Sequence, residues 1–244
     1  YIGLEVAAVS KTLGLNVTVI EMASRILERV TSPTISSFYN SFHESKGVKI
    51  LTSTSVKGIN GDKRVSSVET SSGTIDADIV IGTDPDSDRL GIAVRNENNE
   101  LELLNGNQIM IVLTNFVLEK ENFRNLNNPF VATTIVSSPM LKKIAEYYNV
   151  DCKHTLTGFK WIANLIENSP DSKFICGGEE SYGFMKGDFV RDKDAITSSL
   201  LACEIVAEAK SNKKSFFSIL VDLYVKFGLF HDKLVSIEKK GMRG

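Results

Sequence analysis

The sequence lacks an excess of charge of either sign, a long apolar run and a paired set of cysteines. Its 244 residues contain 28 Lys+Arg against 30 Asp+Glu, a formal net charge of -2. Proteins that bind nucleic acids or anionic membranes present a basic face, so neither is expected as a partner. Every window of about 18 residues contains charged or several polar side chains, which argues against a membrane span.

Cysteine and histidine are also scarce. Cys152, Cys176 and Cys203 form no C-x-x-C pair, and their odd number argues against a disulfide scaffold or a zinc site. Unpaired thiols are typical of a reducing compartment, so we expect a cytoplasmic protein. No signal peptide is visible, and because the chain begins at Tyr1 and ends at Gly244 we interpret it as a fragment of a longer protein.

Hydropathy patterns divide the chain into two parts with different predicted secondary structure. Up to about residue 104, helix and strand patterns are followed by two segments typical of hairpins, with turns near Asn60 and Asn98. From residue 105 onward strands and helices alternate, which predicts α/β layers with a largely parallel sheet. The predicted helices are 1–13, around 35–42, 107–119, 139–148, 159–167, 194–209 and 214–227. The predicted strands are 16–20, 49–53, 54–59, 64–70, 75–82, 91–94, 101–104, 130–136, 151–155 and 173–176.

Three aspartates follow one of the predicted strands. Asp84, Asp86 and Asp88 alternate in a tight turn, where three carboxylates repel one another unless a cation lies among them. Hard oxygen ligands in this number suit Mg²⁺, and the adjacent Arg89 offers a guanidinium fork to a phosphate. An EF-hand does not fit, because its sixth and twelfth positions require glycine and glutamate but hold Arg89 and Arg95. An acidic turn without a ligand is the alternative.

A glycine-rich acidic loop follows the predicted strand 173–176. Its glycines let the backbone approach a ligand, and Glu179 and Ser181 can accept from and donate to vicinal sugar hydroxyls. Further on, Arg191 and Lys193 supply two cations that could clamp an anionic ligand. A strand-to-loop turn followed by a solvated charge run is the alternative.

A third candidate is the turn at Thr157 and Gly158, which opens the predicted helix 159–167. Thr157 can cap this helix, and the free N–H groups at a helix start attract anions. Most such turns serve only as caps, so the turn alone indicates no ligand.

In this order the three loops resemble those of the α-D-phosphohexomutases, the phosphoglucomutases and phosphomannomutases, and the resemblance runs from about residue 77 to residue 244. It implies that the three aspartates hold Mg²⁺ and that a small-molecule sugar phosphate is the substrate. By the same resemblance the expected catalytic residues are Arg89 and Lys160, and the expected substrate-binding residues are Thr157, Gly158, Glu179, Ser181 and Lys193.

Two motifs of that family do not occur in the 244 residues. One is the T-A-S-H-N-P-type loop with the phosphorylated serine, and the other is the R-x-S-G-T-type phosphate-binding loop. The phosphoserine is the covalent carrier of the transferred phosphoryl group. We therefore predict a phosphohexomutase-type fragment, an isomerase by resemblance, that binds Mg²⁺ and hexose phosphate without completing intramolecular phosphotransfer.

Residues 1–82 resemble instead the NAD-binding domain of the FAD-dependent ferredoxin and rubredoxin reductases. Gly3 corresponds to the third glycine of G-x-G-x-x-G, Glu21 to the acidic residue that holds the adenosine ribose, and Glu5 to a position near the nicotinamide. This resemblance implies an NAD(H) site, whereas FAD is not expected because its domain has no counterpart in the sequence. A βαβ scaffold that binds nothing is the alternative.

The two resemblances meet at residues 77–82, where both families have an A-D-x-V-like strand. We interpret the chain as a chimera or fusion of two fragments; a natural fusion, an engineered one and an assembly artefact all fit. The predicted fold is α/β in two units. Residues 1–104 form a truncated Rossmann-like βαβ with hairpins (1–82) joined to a metal-loop segment (83–104). Residues 105–228 form a phosphohexomutase-type sugar-binding domain, followed by a loosely packed tail at 229–244.

Three functions therefore compete. The first is the mutase-type fragment, the second is an NAD(H)-binding module of a FAD-dependent ferredoxin reductase, and the third is an inert hybrid fold. The first is favoured because that part of the chain keeps three consecutive ligand loops, whereas the reductase-like part keeps one partial loop. The sequence leaves the oligomeric state open.

Overall fold

The structure, a computed structural model, describes residues 2–60, 67–96, 98, 101–123 and 125–232. Its helices are α1 (Ile2–Thr12), α2 (Pro33–Ser45), α3 (Gly106–Lys120), α4 (Met140–Tyr147), α5 (Phe159–Glu167), α6 (Ala195–Ser211) and α7 (Phe216–Phe227). Its strands are β1 (Thr18–Ile20), β2 (Lys49–Leu51), β3 (Val56–Asn60), β4 (Ser67–Thr70), β5 (Gly73–Ile75), β6 (Ile79–Thr83), β7 (Leu90–Arg95), β8 (Leu101–Leu103), β9 (Phe130–Thr134), β10 (Asp151–Thr155), β11 (Phe174–Gly178) and β12 (Phe184–Lys186). No described helix has the length and apolar character that crossing a membrane requires.

The alternating part of the chain forms one four-stranded sheet in the order β10-β9-β11-β12. The first three strands are parallel, as the alternation of strands and helices predicts, and β12 pairs antiparallel with β11. Every residue of β9 and β11 is buried, because helices cover both faces of a parallel sheet. The loops that follow β9, β10 and β11 therefore share one edge of the sheet.

Helix α3 lies at the centre of this part of the fold. It contacts β11, α4, α6 and α7, which explains why it is buried along most of its length and apolar around most of its circumference. Its start is fixed by a capping box, in which Asn105 Oδ1 accepts from the Gln108 N–H and Gln108 Oε1 accepts from the Asn105 N–H, both at 2.9 Å.

The earlier part of the chain contains smaller sheets. Strands β1 and β2 form a parallel pair, while β3-β4-β5 and β6-β7-β8 are antiparallel. The two predicted hairpin pairings, β3 with β4 and β7 with β8, are confirmed. The turn expected after Asn60 lies outside the described residues, as does residue 99 of the second turn.

The expectation of one buried strand over 75–82 is wrong. The segment divides into β5 and β6, and β6 is half-buried at the edge of its sheet. The reason is the pair of carboxylates between them. Asp76 forms an ion pair with Arg95, and Asp78 forms one with Lys210 at 2.7 Å. Both charges stay near water, which interrupts the run of strand residues.

The two parts of the chain are in contact. Helix α1 packs on α6, where the Ser10 hydroxyl donates a hydrogen bond to Cys203 Sγ at 3.1 Å. Leu90, Val94 and Leu104 are buried in the same apolar cluster as residues of α3, α6 and α7. The apolar core thus continues across residue 104, while the division of the chain at that residue stays a prediction.

Replacing Val94 by alanine tests this division. The substitution removes two methyl groups at a site with 1% exposure, so we expect a loss of roughly 1.6 kcal/mol of unfolding free energy. The single tryptophan, Trp161, reports on the alternating part, and far-ultraviolet circular dichroism reports on the whole chain. Because Val94 lies in the shared core, the fluorescence transition should shift as well. An unchanged fluorescence transition would instead support two independent units divided at 104.

Candidate functional site

The three aspartates lie on the connection between β6 and β7, residues 84–89, here called the aspartate loop. Asp84, Asp86 and Asp88 each place a carboxylate oxygen within 4.8 Å of the others. The antiparallel register of β6 and β7 pairs Thr83 with Leu90, so six residues close a tight connection. This geometry brings the three predicted metal ligands together.

The aspartate loop is held by hydrogen bonds to Asp84. Its Oδ1 accepts from the N–H groups of Asp88 at 3.2 Å and of Arg89 at 3.1 Å. Arg89 Nε also donates to Asp84 Oδ2 at 2.8 Å and to Asp88 Oδ1 at 3.3 Å. Asp86 is exposed and forms no hydrogen bond or ion pair within the described residues. Asp84 therefore organises the loop, and Asp86 is the member whose carboxylate is held by nothing else.

Arg89 compensates part of the negative charge of the aspartate loop. Partial burial is the largest influence on the pKa of Asp84 and would raise it. The hydrogen bonds from the Arg89 backbone and side chain, together with one involving Asp88, outweigh burial and lower that pKa. The hydrogen bond to Asp84 raises the pKa of Arg89 in return. The loop thus holds a guanidinium against two of its three carboxylates.

The second predicted site follows β11 at residues 179–183, here called the glutamate loop. Glu179 is buried with 5% exposure, and its N–H donates to the Gly183 carbonyl at 2.9 Å. Tyr182 has a φ of 71°, a left-handed conformation that turns the loop back toward β12. Ser181 is half-buried. The loop is therefore a tight turn that connects β11 to its antiparallel neighbour.

Main-chain bonds join the glutamate loop to the aspartate loop. The Leu90 N–H donates to the Tyr182 carbonyl at 3.0 Å, and Arg89 forms an isolated antiparallel bridge with Gly183. At the start of α6, the Ala195 N–H donates to the Ser87 carbonyl at 3.1 Å. The structure thus brings two loops that are about ninety residues apart in sequence to one place.

Lys193 links the side chains of the two loops. Its Nζ lies 2.7 Å from Asp88 Oδ2 and 3.9 Å from Glu179 Oε1. Burial is the largest influence on the pKa of Lys193 and would lower it, but the hydrogen bond to Asp88 and the nearby carboxylates raise it overall. The ammonium is therefore charged and lies between the predicted metal and sugar ligands.

Two glycines that sequence reasoning did not assign to the site determine how closely these elements pack. A Cβ at Gly183 would lie 2.8 Å from Lys193 Cγ and 3.0 Å from Glu179 Oε1. A Cβ at Gly106 would lie 2.7 Å from the Tyr182 nitrogen and would overlap the Glu180 carbonyl. Only glycine leaves this space. The sequence offers one signal for each: Gly106 stands at the first position of a helix, and Gly183 ends an acidic turn.

Thr157 and Gly158 lie after β10, on the same sheet edge as the glutamate loop but with β9 between them. The prediction that Thr157 caps α5 is wrong. Gly158 is the N-cap, with a φ of 105° and no side-chain hydrogen bond, so Thr157 lies one residue before the cap position. Lys160 is exposed and lies over the Trp161 ring, 5.5 Å from its centroid. No hydrogen bond or ion pair within the described part of the chain joins these residues to either loop.

The residues predicted for NAD lie in the first part of the chain. Gly3 and Glu5 are exposed on the first turn of α1, and a Cβ at Gly3 would meet no atom within 4 Å. In dinucleotide-binding folds the third glycine permits close contact of helix and strand. The Glu21 carboxylate accepts from the Ala23 N–H at 2.9 Å, which closes its own turn. The predicted roles of these residues in binding NAD stay predictions.

The cysteines are not suited to nucleophilic chemistry. Burial raises the pKa of Cys152 and of Cys176 to about 12, and it also raises the pKa of Cys203. All three are unpaired thiols in the structure. Because the thiolate is the reactive form, these side chains are inert at neutral pH.

Two protein families match different parts of the chain. The model described as "Phosphoglucomutase/phosphomannomutase, alpha/beta/alpha domain III" matches residues 105–227, and the model described as "Pyridine nucleotide-disulphide oxidoreductase" matches residues 1–112. Among curated proteins, a phosphoglucomutase of Staphylococcus epidermidis is 44% identical over 171 residues, which cover 70% of this chain and 31% of the relative. A phosphoglucomutase of Staphylococcus aureus is 40% identical over 169 residues, which cover 69% and 30%.

Solved structures give the same fold. A putative phosphomannomutase of Thermus thermophilus superposes with a TM-score of 0.58 at 18% identity, covering 98% of this chain and 55% of its own. An N-acetylglucosamine-phosphate mutase superposes with a TM-score of 0.52 at 15% identity, covering 91% and 50%. The chain thus spans about a third of the length of the curated relatives it matches, and a match over half of its own residues shows that it belongs to the phosphoglucomutase/phosphomannomutase family.

Proposed function

We propose that this chain binds Mg²⁺ and a hexose phosphate at the joined aspartate and glutamate loops, as part of a phosphoglucomutase/phosphomannomutase-type enzyme. The observation that carries the proposal is Lys193, whose ammonium contacts Asp88 at 2.7 Å and lies 3.9 Å from Glu179. A metal ligand set and a sugar ligand set are thereby adjacent, and a bound sugar phosphate could reach both.

Mg²⁺ fits the aspartate loop by its chemistry. Three carboxylates within 4.8 Å offer hard oxygen ligands, and water or a phosphate oxygen can fill the remaining octahedral positions. Bound there, the ion would stabilise negative charge on a phosphate oxygen. At the level of the fold, the structure of Aspergillus fumigatus N-acetylphosphoglucosamine mutase, which contains GlcNAc-6P and magnesium, supports the proposal with a TM-score of 0.52 at 14% identity.

The chain's own side chains would orient the sugar phosphate. Glu179 and Ser181 carry an acceptor and a hydroxyl suited to adjacent sugar hydroxyls, while Arg89 and Lys193 carry positive charges for the phosphate. The turn at Thr157 and Gly158 would contact the sugar from the neighbouring strand end. Lys160, the second residue of α5, would be an additional cation next to that turn.

We propose ligand binding for this chain rather than turnover. The 244 residues include neither the phosphoserine loop nor the final phosphate-binding loop of the family. Phosphoryl transfer between two sugar oxygens needs a carrier that accepts the group from one and returns it to the other. The residues present can hold and orient the sugar phosphate, and the carrier step is outside the proposal.

Calorimetric titration of Mg²⁺, with and without glucose 1-phosphate, tests the proposal. The parent chain should bind Mg²⁺ weakly, and more tightly with the sugar phosphate present, because a phosphate oxygen adds an anionic ligand. Asp86→Ala should weaken Mg²⁺ binding by about tenfold or more, since it removes a ligand that no other group replaces. Asp86 has no hydrogen-bonding partner in the described structure, so thermal stability should stay unchanged.

The control for this titration is Asp171→Ala. Asp171 is also exposed, but it lies before β11 at the opposite edge of the sheet. The substitution makes the same change in net charge and should leave the heats as in the parent. Equal heats for the parent and Asp86→Ala would reduce the aspartate loop to an acidic turn and contradict the proposed function.

NAD(H) binding by residues 1–82 is a second proposal, and it is supported by the oxidoreductase family match over residues 1–112. The contacts would come from Gly3, Glu5 and Glu21. The proposal is the weaker of the two, because the described structure shows no close contact at Gly3 and engages the Glu21 carboxylate within its own turn.

We further propose a cytoplasmic location, which the three unpaired thiols support.

A further inference from the structure

Glu180 is the acidic residue of the glutamate loop to which neither the sequence nor the proposed function gives a role. Its side chain contacts the end of β9. There Glu180 Oε2 accepts from Thr134 Oγ1 and from Ser137 Oγ, each at 3.0 Å. The two hydroxyl oxygens are themselves 2.8 Å apart. One carboxylate oxygen thus joins the loop after β11 to the loop after β9.

The surroundings make this contact difficult to replace with water. Thr134 has 0% exposure and Ser137 has 9% exposure, so their hydroxyls have little access to solvent. Buried hydroxyls that lose this acceptor are left with one another and with unmet hydrogen-bonding capacity. The carboxylate is therefore a fixed attachment point rather than a surface charge.

The attachment lies between the two predicted sugar ligands. Glu179 precedes Glu180 and faces Lys193, while Ser181 follows it. On the main chain, Glu180 is also in close contact with Gly106 at the start of α3. A shift at Glu180 would therefore move both neighbours relative to the aspartate loop.

We propose that Glu180 is a positioning residue, whose attachment to Thr134 and Ser137 holds Glu179 and Ser181 in the geometry that binds the sugar. The proposal rests on the proposed function, since it assigns Glu180 to the same site. It predicts that the effect of Glu180 on sugar binding passes through these two hydroxyls.

The first test compares Glu180→Ala with Glu180→Gln by calorimetric titration of glucose 1-phosphate in excess Mg²⁺. Alanine removes the attachment and should weaken binding about tenfold. The glutamine amide oxygen can accept from both hydroxyls, so Glu180→Gln should bind within about threefold of the parent. Parent-like affinity of Glu180→Ala would overturn the proposal, as would equal losses in both variants.

A double-mutant cycle separates positioning from a general loss of structure. Ser137→Ala should weaken sugar binding when Glu180 is present and should have little further effect in Glu180→Ala, because both variants break the same contact. Additive losses would show that Glu180 acts by another route and would overturn the proposal. Denaturation midpoints of all variants confirm that each is folded at the titration temperature.

Hydrogen exchange tests the attachment of the loop without a ligand. The N–H groups of Glu179 and Leu90 donate to carbonyls within the glutamate loop, so Glu180→Ala should accelerate their exchange, whereas amides of β10 should exchange as in the parent. Unchanged exchange at both amides would overturn the proposal. If the parent chain gave no heat with glucose 1-phosphate, the proposed function would fail, and the exchange result would still show whether Glu180 holds the loop.

Discussion

Replacing Gly106 by alanine should lower the free energy of unfolding by roughly 3 kcal/mol or more. It should also abolish sugar-phosphate binding at ligand concentrations at which the parent chain binds. The added Cβ would lie 2.6 Å from the Glu180 carbonyl carbon and 2.7 Å from the Tyr182 nitrogen. These are backbone atoms, which a rotamer change cannot move. Either α3 or the glutamate loop must shift, and α3 is fixed by the surrounding core. The loop should therefore be displaced from the aspartate loop.

The matched control is Gly3→Ala. Gly3 is also in the first turn of a helix, but its Cβ would meet no atom within 4 Å. Alanine has the higher helix propensity, so this variant should be unchanged or up to about 1 kcal/mol more stable. Thermal denaturation followed by circular dichroism distinguishes the two, with a fall of roughly 6–12 °C in Tm expected for Gly106→Ala alone. Equal midpoints for the two variants would show that the fold accommodates the clash.

Replacing Lys193 by methionine should change the affinities for the two ligands in opposite directions. The Lys193 ammonium neutralises Asp88 at 2.7 Å, so Mg²⁺ must compete with it for that carboxylate. Methionine keeps most of the side-chain length without the charge, and Mg²⁺ affinity should rise about tenfold. Binding of glucose 1-phosphate should fall roughly tenfold to a hundredfold, because a charge-assisted contact is lost.

Calorimetry with each ligand measures both effects, and Lys173→Met is the control. Lys173 is an exposed lysine whose Nζ lies 2.9 Å from Asp188; it immediately precedes β11, at the end of the strand opposite to the glutamate loop. That variant removes the same charge and should leave both affinities unchanged. A fall in Mg²⁺ affinity for Lys193→Met would mean that the lysine supports the metal site instead of competing for it.

The parts of the site that the sequence predicted are those encoded within short segments. Asp84, Asp86 and Asp88 alternate in one turn, and chain connectivity alone brings them together. The alternation of strands and helices after residue 105 likewise predicts a sheet edge that collects the loops after β9, β10 and β11. Local sequence was informative wherever a neighbour in space was also a neighbour along the chain.

The parts that the sequence did not predict depend on contacts between distant segments. Glu180 reaches Thr134 and Ser137 across two adjacent strands, and nothing in its own turn indicates that it differs from Glu179. The sequence predicts Thr157 as the cap of α5, whereas the structure has Gly158 there, because a glycine N-cap and a threonine side-chain cap are indistinguishable in the sequence Thr157-Gly158. Such features depend on packing, which a single sequence does not display.

The packing of α1 on α6 has a consequence for which helices could occupy the position of α1. The buried residues of α1 are Leu4, Val6, Ala7 and Ser10; Leu4 packs in an apolar cluster with Ile26 and Leu27, and the Ser10 hydroxyl donates to Cys203 Sγ of α6. The surface of α6 therefore constrains the shape and the apolar character of the helix that packs on it, and little else. Other helices with a buried side of matching shape and apolar character should therefore be interchangeable with α1.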